Sequence, residues 1–115
     1  MDNFNYYPIF SKMTQNTTAG IILSYIVELT QYKNPIKITN EELAKDLYFT
    51  TSTIIRAKTK IKDLPFIDIG VVKQKDENGF IIGIISEYKV DFKKLAKYIK
   101  EFENEWFKQR FKQRF

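Results

Sequence analysis

The chain has 115 residues, the size of one domain, and its 43% hydrophobic and 29% charged residues are the balance of a folded chain, not a disordered one. It contains no Cys and no His, which removes the usual zinc ligands, cysteine nucleophiles and histidine bases, and with them most common catalytic constellations. Nineteen Lys and Arg against 14 Asp and Glu give a formal charge of +5, a bias toward polyanionic partners that many proteins binding none also share.

Residues 1–13 carry Tyr6-Tyr7 ahead of Pro8-Ile9-Phe10. Proline disfavours helical angles at the residue before it, so an extended aromatic arm is expected, packed on the domain or on a second copy. The acidic, polar start MDNFN is unlike a signal peptide, and no apolar run approaches the roughly 18 residues that span a bilayer. A cytoplasmic location without membrane contact is expected. The polar cluster Thr14 to Thr18 then caps a helix in which Ala19, Ile22, Leu23, Ile26 and Leu29 form an apolar stripe, ending near Tyr32 ahead of Asn34-Pro35. Ile36-Lys37-Ile38 alternates as a short edge strand does.

Residues 39–61 read as two helices about a tight turn. Thr39 is an N-cap with Glu42 three residues on, the spacing of a capping box, and Leu43, Ala44 and Leu47 give the first helix its apolar face. Tyr48-Phe49-Thr50 breaks that pattern. Thr50 caps a second helix in which Ile54, Ala57, Ile61 and Leu64 recur at steps of three and four, until Leu64-Pro65 stops it at about Asp63. The face left over carries Thr51, Ser52, Ile55, Arg56, Thr59 and Lys60, with Lys58 and Lys62. Apart from Ile55 these are hydrogen-bonding or cationic groups, the types that reach base edges and phosphates from a helix in the major groove. Thr51, Ser52 and Thr53 stand at the helix start, where backbone N–H groups favour phosphate.

From Phe66 the period changes. FIDIGVVKQ and FIIGIISEYKV are rich in β-branched residues, and the KDENG between them holds the hairpin signal Asn78-Gly79. Lys73 and Lys75 near its tip are candidate DNA-backbone contacts, although Asp76 and Glu77 beside them cancel most of their field. Alternation puts Ile82 and Ile84 on one face and Ile81 and Ile85 on the other, so both faces are apolar and the arm or the last helix is expected to cover the second. Asp91 caps that last helix, with Phe92, Leu95, Ile99, Phe102 and Trp106 along one face.

The tail WFKQRFKQRF repeats Phe-Lys-Gln-Arg and places Phe107, Phe111 and Phe115 in a row beside cationic residues. A dimerisation helix, a basic amphipathic helix for a membrane or partner groove, and a frayed end compete for it. Glu101, Glu103 and Glu105 one turn upstream would repel anionic lipid. The steps of four, three and four between Leu95, Ile99, Phe102 and Trp106 suit a seam between two helices, so these residues with Phe107 and Phe111 are the expected homodimer contacts.

The run LAKDLYFTTSTIIR resembles the helix-turn-helix of winged-helix proteins, where a Leu-Ala pair, a later Leu, a small capping residue and a Thr-Ile-x-Arg run recur in that order. Tyr48 departs from it, standing where the family usually has Gly. The order of helix, short strand, helix, turn, helix and hairpin is the winged-helix order over roughly residues 15 to 99. Within that family the chain is most similar to the small domains of phage and plasmid replication proteins, the replisome-organiser and initiator type. A long apolar helix such as AGIILSYIVEL precedes the motif there, and a run such as YKVDFKKL closes the wing. The resemblance implies an α+β winged helix-turn-helix with a three-helix core, a two- to three-stranded wing and a long C-terminal helix, divided here as arm 1–13, domain 14–91 and helix 92–115. The core is expected to include Ile22, Leu23, Ile26, Leu29, Leu43, Leu47, Ile54, Ala57, Ile61 and Ile67.

The resemblance further implies a DNA-binding protein of a mobile element, acting in replication initiation or transcriptional control on double-stranded DNA, with a protein partner from the replication machinery or host as an option. Thr51, Ser52, Thr53, Ile55, Arg56, Thr59, Lys60, Lys73 and Lys75 are its candidate DNA contacts. The alternative is a protein-binding module or inhibitor that keeps the fold and grips another protein with its aromatic surfaces. No cofactor is implied, and Asp46, Asp63, Asp68 and Asp91 are spread over caps and loops without paired-carboxylate spacing, which speaks against an enzyme.

Overall fold

A proline at the start of a helix does what no other residue does there, and the first element follows from it. The computed structural model describes residues 4–111, though not the side chains of 106, 107 and 109–111. In place of the expected extended arm, residues Pro8–Thr14 form helix α1. Tyr7 does obey the pre-proline rule, with φ −108° and ψ 105°, but it is only the N-cap. Pro8 occupies the first turn, where its missing N–H would have had no partner and its fixed φ suits the helix. Gln15, left-handed at φ 54°, ends α1, and the Asn16 side chain accepts the Ala19 N–H at 2.8 Å to start α2, Thr17–Thr30. The two helices touch at Gly20, where a Cβ would lie 2.6 Å from the Ser11 backbone. The Tyr7 N–H donates to Ser24 Oγ at 3.0 Å, tying the start of α1 to the middle of α2.

After strand β1, Ile36–Ile38, the capping box forms as the spacing predicts: Thr39 Oγ1 accepts from the Glu42 N–H at 3.0 Å while Glu42 Oε1 accepts from the Thr39 N–H. Helix α3 runs Asn40–Leu47 and α4 runs Thr51–Ile61, two residues shorter than expected. Tyr48 takes the left-handed angles a glycine would favour, φ 59° and ψ 36°, so the turn keeps its geometry despite the substitution.

Strands β2, Ile67–Lys75, and β3, Ile81–Val90, form the hairpin, and the sheet is antiparallel in the order β1-β3-β2. Asp76 Oδ1 accepts the N–H groups of Asn78 and Phe80, and Gly79 supplies the positive φ of 83° that the turn requires. The Asn34 amide bonds both backbone groups of Val90, its Nδ2 donating to the carbonyl at 2.6 Å and its Oδ1 accepting the N–H at 3.1 Å.

The five helices and three-stranded sheet of the described residues make an α+β chain around one core. Ile22, Leu23 and Ile26 of α2 are fully buried against Leu43, Ile54, Ile61, Phe66, Ile67 and Tyr88. Each such side chain contributes about 1.5–3 kcal/mol of transfer free energy. Leu29 and Leu47, expected inside, are only partly buried on the rim. Helix α5 covers Phe92–Phe111, with Asp91 Oδ1 accepting the Lys94 N–H at 3.0 Å. Its inner end packs through Leu95 and Tyr98, whose ring lies 5.6 Å from Phe66 and 6.4 Å from Phe102. The molecule measures 66 × 28 × 24 Å, with a radius of gyration of 16.2 Å. Among the described residues no helix is long and apolar enough to cross a membrane.

Among the described residues nothing supplies the expected cover over the second face of the hairpin. Val71, Phe80, Ile81, Ile82 and Ile84 are between 54% and 69% exposed, and of the four isoleucines only Ile85 is buried. The arm that was to supply the cover has turned into α1 and packs on α2 instead.

Candidate nucleic-acid interface

Three side chains fix the orientation of α4. Ile54, Ala57 and Ile61 are buried in the core, so the residues at the intervening positions face outward by helical geometry. Ser52, Ile55, Arg56, Thr59, Lys60 and Lys62 are exposed, and Thr51 and Thr53 are half-buried. Ser52, Arg56 and Lys60 follow one another at steps of four and form a single stripe. Thr50 holds the helix start, its Oγ1 accepting the Thr53 N–H at 3.2 Å, and the Thr59 hydroxyl donates to the Arg56 carbonyl at 2.6 Å. Among the described residues no carboxylate lies within ion-pair distance of Arg56, Lys60 or Lys62. Their charge is not neutralised locally, as a surface built to meet an anion requires.

The stripe borders an open depression of about 520 Å³ whose far wall is the start of α2. Asn16 and Thr18 line it opposite Thr53, Arg56, Thr59 and Lys60. Sequence reasoning treats the Thr14 to Thr18 cluster only as a cap. The polar composition was a signal, but only tertiary packing sets that cap beside α4. On the other flank Asn40, Ile55, Lys58, Thr59, Lys62 and Ile69 line a smaller depression of about 250 Å³.

Lys58 does not belong to the outward face. Its Nζ donates to Asn40 Oδ1 at 2.9 Å and to Ser86 Oγ at 2.8 Å, and it lies 5.3 Å from the centre of the Tyr88 ring. Burial pushes its pKa below the ordinary lysine value. It links α3, α4 and β3. Tyr88 itself is fully buried, and burial pushes its pKa up to about 12, with Ser86 drawing it a smaller way in the opposite direction. Tyr25 is also pushed up, first by burial and then by Asp46, whose Oδ2 accepts its hydroxyl proton at 2.7 Å.

Lys73 and Lys75 are exposed on the outer half of β2, opposite Ile84 and Ile81, and line neither depression beside α4. The described half of the expected seam on α5, Leu95, Ile99 and Phe102, packs within the chain. Leu95 is 6% exposed within the core, Ile99 packs against the same core and Phe102 is half-buried beside Tyr98, so Leu95 has no surface to offer a partner. Phe92, expected on that same face, is exposed. The side chains of Trp106, Phe107 and Phe111 lie outside the described residues, as does Phe115. No group of three or more acidic side chains among the described residues is placed to hold a metal ion. No protein-family model matches the chain, and no curated protein sequence matches it.

Proposed function

We propose that the chain is a winged-helix DNA-binding protein of a phage or plasmid, working in the cytoplasm in replication initiation or transcriptional control and not as an enzyme. The observation that carries this reading is the stripe Ser52, Arg56 and Lys60, exposed and without a carboxylate partner among the described residues, on a helix whose opposite face is anchored in the core. In the proposed complex α4 enters the major groove. Arg56 reaches a base edge or phosphate, Lys60 a phosphate, and the start of α4 presents the backbone N–H groups of Thr51 and Ser52 to the strand alongside, that of Thr53 being held by Thr50 Oγ1. Asn16 and Thr18 add polar groups on the same flank. Lys73 and Lys75 extend the contact only if the duplex reaches the hairpin.

The test is binding to duplex DNA over a series of salt concentrations. Affinity should fall steeply with salt, and Arg56→Ala with Lys60→Ala should lower the slope of log K against log[salt] by about two while leaving the thermal melt unchanged. Equal binding by the double variant would remove α4 as the reader. The uncovered apolar hairpin favours the second reading, a module that grips protein, and failure to bind any DNA at low salt would leave that reading in place.

A further inference from the structure

The edge of β3 is protected along half its length and open along the other half. Beside β1 its partners are Ile36, Lys37 and Ile38, opposite Tyr88, Glu87 and Ser86, and beyond them the Asn34 side chain stands in for a strand at Val90. From Ile85 outward to Ile81 no strand among the described residues pairs on that side. The Asn34 bonds show that Val90 points its N–H and C=O toward this edge. By the alternation of an antiparallel strand Ile84, six residues back, points its backbone groups the same way, unpaired. Natural edges are blunted by charge, proline or a bulge. The outer half of β2 conforms, with Lys73 and Lys75, whereas the β3 segment FIIGII has no charge and no proline. Its one such device is a bulge at Ile82, where the register with β2 shifts between Gln74 and Lys75, beyond the regular alternation that runs from Val90 to Gly83.

We propose that Ile81–Ile85 of β3 pairs antiparallel with the same segment of a second copy of this chain, joining two hairpins into one sheet across a two-fold axis at Gly83. The length fits. A strand paired with itself about Gly83 sets Ile82 against Ile84 twice and Ile81 against Ile85 twice. It ends where β1 begins, at the Ser86–Ile38 pair. Ile82 and Ile84, both exposed in the single chain, cover one another, and no like charges are brought together although the chain carries +5 overall. Lys73 and Lys75 sit on β2, on the other side of β3 from the new junction. Val71, Phe80, Ile81, Ile82 and Ile84 leave the outer hairpin with exposed apolar surface of the kind that marks an interface, and a closed two-fold contact limits assembly to a dimer.

The inference is independent of DNA binding and is tested without DNA. Sedimentation equilibrium of the full chain from low to high micromolar concentration should give a dimer whose affinity changes little with salt, unlike the contact proposed for α4. Ile82→Lys and Ile84→Lys each place two lysines at the junction and should weaken the dimer by about 100-fold, while Phe102→Ala on α5 should leave it intact. Hydrogen exchange on the unmodified chain supplies a reading that does not depend on the variants folding: amides of the Ile81–Ile85 segment should become protected as concentration rises. A monomer at high micromolar concentration overturns the proposal. So does a dimer indifferent to both lysine variants, or one lost with Phe102→Ala and kept with Ile84→Lys.

Discussion

Two cationic residues on one helix, Arg56 and Lys58, show how little sequence spacing alone says about what a cation does. Arg56 stands in solvent with no carboxylate near it among the described residues, whereas Lys58 is held by Asn40 and Ser86. Lys58→Ala should therefore cost about 1–3 kcal/mol in a urea titration while leaving DNA affinity alone, the reverse of the pattern expected for Arg56→Ala. Tyr48 offers a second residue-scale prediction. It holds φ 59° with its ring 95% exposed, so the strain is offset by no packing, and Tyr48→Gly should raise stability by up to about 1 kcal/mol, read as a higher melting temperature. Tyr88 sets the alkaline limit. Its folded pKa of about 12 lies above the ordinary 10.0, so between those values the unfolded chain has given up a proton that the folded chain keeps. Stability is then lost as pH rises through that window, Tyr25 acting in the same direction. Tyrosinate absorbance should show part of the seven tyrosines ionising only as the fold is lost.

At the scale of elements, the contact between α1 and α2 is close at Gly20 and was not evident beforehand. Gly20→Ala drives a methyl toward the Ser11 backbone and should cost about 1–3 kcal/mol, with exchange of the α1 amides rising more than that of α3 or α4. Elements whose signals are local were legible in the sequence. The Thr39 and Glu42 box, the Thr50 cap, the Asn78-Gly79 turn and the Asp91 cap each decide an end by chemistry within a few residues. Helix α1 was missed because Pro8 constrains the residue before it and also favours the first turn of a helix after it, and only the first effect was weighed. Positions decided by distant partners were out of reach. Leu95 looked like half of a seam because nothing in its own helix reveals the core beneath it, and Asn16 and Thr18 looked like caps because nothing in their segment reveals α4 beside them.

At the scale of the whole molecule, two surfaces of opposite character lie on one small body: the cationic stripe of α4 and the uncharged outer edge of β3. Their separation predicts that salt and lysine substitution will act on different properties, salt on DNA affinity and Ile84→Lys on self-association. The outer part of α5 is a third region. Among the described residues the helix adds none to the core beyond Phe102, so truncation after Glu103 should change stability by less than about 1 kcal/mol and keep the secondary structure of the rest by circular dichroism. A larger loss would mean that the tail supports the fold.

That projecting helix also governs how the protein travels through solvent. A compact domain of this length has a radius of gyration of about 13 Å, against the 16.2 Å found here, and one axis of 66 Å is more than twice either of the others. Such a rod-like particle meets more frictional drag than a sphere of equal mass. On a gel-filtration column it will leave early, at the volume of a heavier globular standard, and a monomer will pass for a dimer. Light scattering or sedimentation, which weigh the particle without assuming its shape, must therefore decide how many copies it contains.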